Sequence, residues 1–180
     1  MSDKNIDPFL ASVIHGALED IALEMGQKLM RMSYSSIIRE SEDFGTALTD
    51  QTGRQLCECT MSTPLQSGPI PGYVMGVLEE LKGRGDEIKP GDIFMHNDPY
   101  NGASHGPDGF LVPVFSNNAL VGFSVTTAHH LDVGALTPGS CGIVDAVDTY
   151  AEGLQFKAVR VYENNKTLET VLQILRSNIR

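Results

Sequence analysis

Histidines and carboxylates are concentrated in the middle third of the sequence. Four of the five histidines lie between positions 96 and 130, and each has an aspartate within three positions. The groups are His96 with Asp98, His105 with Asp108, and His129 and His130 with Asp132. Imidazole nitrogens and carboxylate oxygens together suit Zn, Mn or Fe, and three protein ligands leave coordination positions open for water or substrate. The grouping therefore predicts a catalytic metal site.

Two of these groups have a spacing that suits one shared site. The segment His105-Gly-Pro-Asp108 has the composition of a tight turn, which can aim two side chains at one point. A strand that returns to the same place would add His130. The alternative interpretation is that these are ordinary polar loop residues, with His129 and His130 only capping a strand end. Spacing alone leaves both interpretations open.

Helical periodicity is clearest at the N-terminus, where it predicts an amphipathic helix over about residues 8–38. Its apolar residues recur every three or four positions, at Ile14, Leu18, Ile21, Met25, Leu29 and Met32. Asp7 suits the N-cap, and Pro8 suits the first helical position. Weaker patterns predict a second helix over residues 72–82 and a closing helix over 168–179.

Strand-like runs predict two antiparallel hairpins. Residues 46–49 and 55–59 flank the turn Asp50-Gln-Thr-Gly53, while residues 110–115 and 120–127 flank Ser116-Asn-Asn-Ala119. Further strands are expected just before His96 and over residues 156–162. Together the patterns predict an α+β fold, in which the long N-terminal helix packs on a mostly antiparallel sheet with His- and Asp-bearing loops. We expect a single domain over residues 1–180.

Composition excludes several classes of function. The formal net charge is -10, with no Lys/Arg cluster, which argues against nucleic acid and against anionic membranes as partners. No apolar run approaches the roughly 20 residues of a spanning helix, and the first residues lack signal-peptide character. We therefore expect a cytoplasmic protein with reduced thiols at Cys57, Cys59 and Cys141, the first two packed in the core. No Walker or Rossmann glycine pattern occurs, so any ATP chemistry is expected to belong to a partner.

Several motifs occur in a distinctive order. They are Ile38-Arg-Glu-Ser-Glu-Asp-Phe44, Ala47-Leu-Thr-Asp50, Asn97-Asp-Pro-Tyr100, Gly102-Ala-Ser-His-Gly-Pro-Asp108, His129-His-Leu-Asp-Val-Gly134, Thr137-Pro-Gly-Ser140 and Glu152-Gly-Leu-Gln155. In this order they resemble the hydantoinase B/oxoprolinase family, which includes the α subunits of acetone and acetophenone carboxylases. The resemblance covers nearly the whole chain, but only the N-terminal portion of family subunits. Gly106 and Gly109 depart from the family, which usually has a bulkier and a hydrophobic residue there.

The resemblance implies a site with assigned roles. A divalent metal (Zn, Mn or Fe) would be held by His105, Asp108 and His130, with Asp43 as candidate fourth ligand. His129 and Asp132 would lie close enough to the metal to move a proton. Asp98 would help to orient the ligands.

The resemblance also implies an activity. The chain would be a metal-binding subunit or fragment of an ATP-dependent hydantoinase or lactamase-type amidohydrolase, in a hetero-oligomer. A hydantoinase A-type partner would use ATP to phosphorylate a small ring substrate, which the metal-bearing half would then hydrolyse. The alternatives are an α-type ketone carboxylase subunit, and a noncatalytic assembly module with a structural metal.

Overall fold

The centre of the fold is one antiparallel sheet. The computed structural model describes residues 7–104, 107–137 and 146–179, and these form seven strands in the order β2-β1-β5-β4-β3-β6-β7. The strands are β1 (Phe44–Asp50), β2 (Gln55–Glu58), β3 (Ile93–His96), β4 (Pro107–Ser116), β5 (Ala119–His129), β6 (Val159–Glu163) and β7 (Lys166–Thr167). The predicted α+β class is confirmed, since a long N-terminal helix packs on this sheet.

Helices cover both faces of the sheet. They are α1 (Pro8–Met32), α2 (Ser36–Arg39), α3 (Pro64–Ser67), α4 (Ile70–Arg84) and α5 (Glu169–Asn178). On one face, Tyr73, Val74 and Val77 of α4 pack on Leu111 and Val125 of the central strands. The opposite face is shared between α1 and α5.

The shared face holds two smaller apolar clusters. Phe44 and Ala128 pack against α1, whereas Met95 and Val161 pack against α5. Between these clusters, Asp108 pairs with Ala128 across β4 and β5. Directly paired residues of an antiparallel sheet project to the same side, so Asp108 belongs to this face.

The predicted first helix is divided in two in the structure. Asp7 caps its start as expected, because its Oδ1 accepts a hydrogen bond from the Phe9 amide at 3.0 Å. The helix ends at Met32, where Ser33 is extended and its hydroxyl accepts from the Ser35 amide at 3.1 Å. Serine side chains compete with the helix for backbone groups in this way. The short helix α2 then follows.

Both predicted hairpins are confirmed, because β1 pairs with β2 and β4 pairs with β5 in antiparallel register. The later strand is shorter than predicted and begins at Val159. β7 was not anticipated, although Asn164 and Asn165 both have positive φ (51° and 60°), as a type I′ turn requires.

Two further expectations concern cysteines and the membrane. Cys57 and Cys59 are buried free thiols, as predicted, while Cys141 lies outside the described residues. In the part of the chain that the structure describes, no helix is long and apolar enough to cross a membrane.

Candidate metal centre

Asp108 and His130 meet where β4 begins and β5 ends. Asp108 has no exposed surface, and it pairs across the two strands with Ala128. His130 lies two residues after Ala128 in the chain. As a result, Asp108 Oδ2 lies 2.8 Å from His130 Nδ1. The His130 ring also stacks on Phe110, with 6.3 Å between ring centroids. Two of the three principal predicted ligands are therefore neighbours.

The ionisation of His130 is coupled to this contact. Burial alone would lower the pKa of the imidazole, but the hydrogen bond to Asp108 and the charge of that carboxylate outweigh burial, so the pKa of His130 is raised. The charge of Asp108 thus favours positive charge at this position. A divalent cation would satisfy the same preference.

The other oxygen of Asp108 has its own partner. Asn97 Nδ2 donates to Asp108 Oδ1 at 2.6 Å, and Asn97 is itself buried. An ionised carboxylate without exposed surface needs compensation by charge or hydrogen bonds. One neutral amide and one imidazole are modest compensation, so the donor set at Asp108 and His130 fits a divalent cation.

The third principal predicted ligand, His105, lies outside the described residues. Over residues 7–104, 107–137 and 146–179, no three His, Cys, Asp or Glu side chains form a group that could hold a metal ion. Within those ranges the centre consists of the Asp108–His130 pair.

Asp43 contacts the other histidine of the His-His step. Its Oδ2 lies 3.2 Å from His129 Nδ1, and its Oδ1 accepts hydrogen bonds from Gln66 Nε2 at 2.9 Å and Thr63 Oγ1 at 3.3 Å. Gln66 belongs to α3, on the side of the sheet opposite His130. Successive strand residues project to opposite faces, so the consecutive residues His129 and His130 serve different carboxylates.

The two other predicted aspartates have local structural contacts. Asp132 Oδ1 accepts from the amides of Gly134 and Ala135 at 2.7 and 3.3 Å, which shapes the turn after β5. Asp98 caps a short 3-10 helix, Pro99–Asn101, and forms an ion pair with Lys157 at 2.9 Å. Both carboxylates therefore fix loops that border the Asp108–His130 pair in sequence.

His96, a member of the histidine grouping, is a buried structural residue. Its Nε2 lies 2.8 Å from the Asn101 carbonyl, and its Nδ1 lies 3.3 Å from the Ala158 amide. The Phe156 carbonyl oxygen also lies 3.1 Å from Nδ1, so main-chain groups of residues 101, 156 and 158 surround the ring. His96 thus ties the loop after β3 to the segment before β6.

Two residues of the site were not singled out from sequence. Asn97 donates a hydrogen bond to Asp108. Its position directly before Asp98 in a turn-rich motif is the sequence signal that could have pointed to this role. Gln66 holds Asp43, but it lies in a Pro-rich stretch without any pattern that marks it. Both roles depend on contacts between residues distant in sequence.

Comparisons with known proteins agree on one family. The profile of the hydantoinase B/oxoprolinase family matches residues 7–180. A protein of Pseudomonas sp. (strain NS671), described as a B-type subunit of a D-/L-hydantoinase, is 64% identical over 178 residues, covering 98% of this chain and 30% of that protein. The chain thus spans less than a third of this relative's length.

Two solved structures share the fold. The ATP-dependent caprolactamase from Pseudomonas jessenii superposes with a TM-score of 0.83 at 31% identity, over 98% of this chain and 30% of the other. Nucleotide-free acetone carboxylase superposes with a TM-score of 0.86 at 21% identity, over 97% of this chain and 23% of the other. At 21% identity the second likeness bears on the fold alone.

Proposed function

The chain belongs to the hydantoinase B/oxoprolinase family, and from this membership we propose that it is the metal-binding part of an ATP-dependent amidohydrolase that opens a small cyclic amide. The observation that carries the proposal is the 64% identity to the B-type D-/L-hydantoinase relative over 98% of the chain. Identity at this level favours ring hydrolysis over the carboxylation that other family members perform.

The metal site of the proposal is centred on Asp108 and His130. The buried carboxylate and the imidazole supply one oxygen and one nitrogen at a single point, and His105 is proposed as the third ligand. When bound there, a divalent Zn, Mn or Fe ion would polarise a carbonyl oxygen and make water a better nucleophile. Asn97, Asp108 and His130 would keep that centre in place.

His129 is proposed to move the proton that ring opening requires. Its Nδ1 faces Asp43 at 3.2 Å, which favours the tautomer with the proton on Nδ1 and leaves Nε2 as an acceptor. That nitrogen is buried and has no hydrogen-bond partner among the described residues. The contacts of Asp43 favour a role in orienting His129 over a role as fourth metal ligand. Asp132 would act by shaping the turn that follows the two histidines.

ATP is proposed to be used by a separate hydantoinase A-type subunit, within a hetero-oligomer in the cytoplasm. That polypeptide would phosphorylate the carbonyl oxygen of the cyclic amide. Water would then attack the activated carbon, the C–N bond of the ring would break with protonation of the nitrogen, and hydrolysis of the resulting acyl phosphate by a second water would release phosphate. The relative at 64% identity is named as one subunit of its enzyme, which supports the existence of a partner polypeptide.

The first test separates metal binding from catalysis. The purified chain is titrated with Mn²⁺, Zn²⁺ and Fe²⁺, and His105→Ala is compared with His15→Ala, whose histidine is exposed on α1 with its Nε2 3.4 Å from Glu19 Oε1. The proposal expects one equivalent of metal in the wild type and in His15→Ala, and loss of metal in folded His105→Ala. Unchanged binding in His105→Ala would contradict the ligand assignment.

The second test identifies the reaction. The chain is combined with a hydantoinase A-type polypeptide and ATP, and hydantoin or lactam opening is measured beside incorporation of labelled bicarbonate into a ketone. Ring opening that depends on both polypeptides is expected. Incorporation of bicarbonate would establish the carboxylase alternative instead. A metal that stays bound and inert in every assay would indicate a structural role.

A further inference from the structure

We infer that Asn97 is a positioning residue for the metal centre: its amide occupies Oδ1 of Asp108, so that only Oδ2 is presented to His130 and to the cation. The inference rests on the proposed function and adds the way in which the carboxylate is oriented. The predicted metal ligands are histidines and aspartates, and they gave no reason to expect an asparagine beside Asp108.

The hydrogen bonds of Asn97 leave no ambiguity about its orientation. Its Oδ1 accepts from the Phe156 amide at 2.6 Å, and a backbone N–H can only donate. Nδ2 must therefore face the two acceptors on its other side, which are Asp108 Oδ1 at 2.6 Å and the Leu154 carbonyl at 2.9 Å. Both amide hydrogens are used, one on each acceptor.

This arrangement divides the two oxygens of Asp108. Oδ1 is held by the Asn97 amide at 2.6 Å, whereas Oδ2 lies 2.8 Å from His130 Nδ1. A carboxylate held by one oxygen cannot turn to offer both equally, so Asp108 is set to bind a cation through Oδ2 alone. The burial of both residues protects this hydrogen bond from competition by water.

The position demands a side chain that accepts on one edge and donates on the other. Aspartate would keep the acceptor for Phe156 but would face Asp108 and the Leu154 carbonyl with a second acceptor. Alanine would leave the amide of Phe156 and Oδ1 of Asp108 without this partner. Asparagine satisfies all three groups.

Asn97 is also anchored independently of Asp108. Its backbone amide donates to the Phe156 carbonyl at 3.0 Å, so main chain and side chain both bind residues 154–156. The main-chain groups of Leu154 and Phe156 are thereby the fixed support, and the Asn97 side chain holds Asp108 in place relative to them. Partners of this kind alter metal affinity by about 10- to 100-fold when they are removed.

The test uses the 180-residue chain with Mn²⁺ as the probe. Affinity is measured by titration, and the electron paramagnetic resonance spectrum of the bound ion reports its coordination. The variants are Asn97→Ala and Asn97→Asp. Asn97→Asp keeps the oxygen that accepts from the Phe156 amide, so the test still holds if Asn97→Ala does not fold. The control is Gln155→Ala, which removes the 2.7 Å hydrogen bond to Thr149 from the same segment without touching Asp108.

Both Asn97 variants are expected to bind Mn²⁺ about 10- to 100-fold more weakly, with an altered spectrum, while Gln155→Ala stays at the wild-type value. The loss in Asn97→Asp is diagnostic, because an added negative charge by itself would tighten cation binding. Wild-type or tighter binding by Asn97→Asp would overturn the inference, as would an equal loss in Gln155→Ala. If the wild-type chain bound no Mn²⁺, the proposed metal site itself would fail, which is a distinguishable result.

Discussion

His130 Nδ1 lies 2.8 Å from Oδ2 of Asp108, a carboxylate that has no exposed surface. The contact joins the first residues of β4 to the residue directly after β5, and it depends on the register that pairs Asp108 with Ala128. A shift of one residue would turn Asp108 to the other face of the sheet. The hairpin register therefore brings Asp108 and His130 together.

Replacement of Asp108 by Asn tests the charge of this pair. The variant keeps the shape of the side chain but removes its negative charge. We expect metal affinity and ATP-dependent ring opening to fall by more than roughly 100-fold, which is the loss typical when a residue that only orients a metal ligand is removed. Metal content by elemental analysis and a coupled activity assay measure the two effects. Asp50→Asn is the control, because Asp50 shapes the exposed β1–β2 turn. Equal metal content in all three proteins would contradict the assignment.

The contacts of Asp43 lead to a different expectation. Because it faces His129, Gln66 and Thr63, Asp43→Asn should retain the metal and lose activity by about 10- to 100-fold, as expected for removal of a residue that orients another. Metal titration and turnover are measured on the same preparation. Parallel loss of metal and turnover, as in Asp108→Asn, would instead make Asp43 a ligand.

Local sequence patterns predicted the elements that depend on local interactions. The capped start of α1 and the two hairpins follow from Asp7-Pro8 and from turn residues between alternating strands, which act within a few positions. The end of α1 at Met32 was missed, since continuing apolar periodicity masked the competition from Ser33. β7 was missed because two residues carry no periodicity.

The candidate site divides in the same way. Asp108 and His130 were predictable neighbours, because a single hairpin links them. The support from Asn97 was not, since its partner Phe156 is 59 residues away and belongs to a loop that only the folded sheet brings close. Gln66 likewise meets Asp43 because α3 packs on the sheet, and no sequence motif predicts that contact.

Burial of Cys57 gives the stability a defined dependence on pH. Burial raises the pKa of this thiol above its ordinary value of 9.0, so the unfolded chain loses the proton at a lower pH than the folded one does. The contribution to stability is complete below about pH 9 and is lost as pH rises further. The free energy of unfolding should thus fall more steeply above that pH in the wild type than in Cys57→Ser, measured by urea titration. Parallel curves would show that the thiol ionises equally in both states.

Gly109 is matched to the ring of Tyr73 behind it. A Cβ atom at Gly109 would come within 2.3 Å of Tyr73 Cδ1, and Tyr73 is fully buried beneath the sheet. Overpacking of this kind costs about 1–3 kcal/mol, so Gly109→Ala should lower the free energy of unfolding by that amount. Gly16→Ala is the matched control, because a methyl group there meets open space on α1 and should be neutral or stabilising.

The Tyr73→Leu background shows whether this contact is responsible. Leucine removes the ring atoms that a methyl group at Gly109 would meet, so the same Gly109→Ala change should cost less there. The two costs, obtained from urea unfolding of the four proteins, should differ by about 0.5–3 kcal/mol. An identical cost in both backgrounds would place the strain elsewhere. Gly109 follows Asp108 directly, so strain that displaces β4 would also displace this proposed metal ligand. In that case metal affinity should fall in Gly109→Ala and recover in the double variant with Tyr73→Leu.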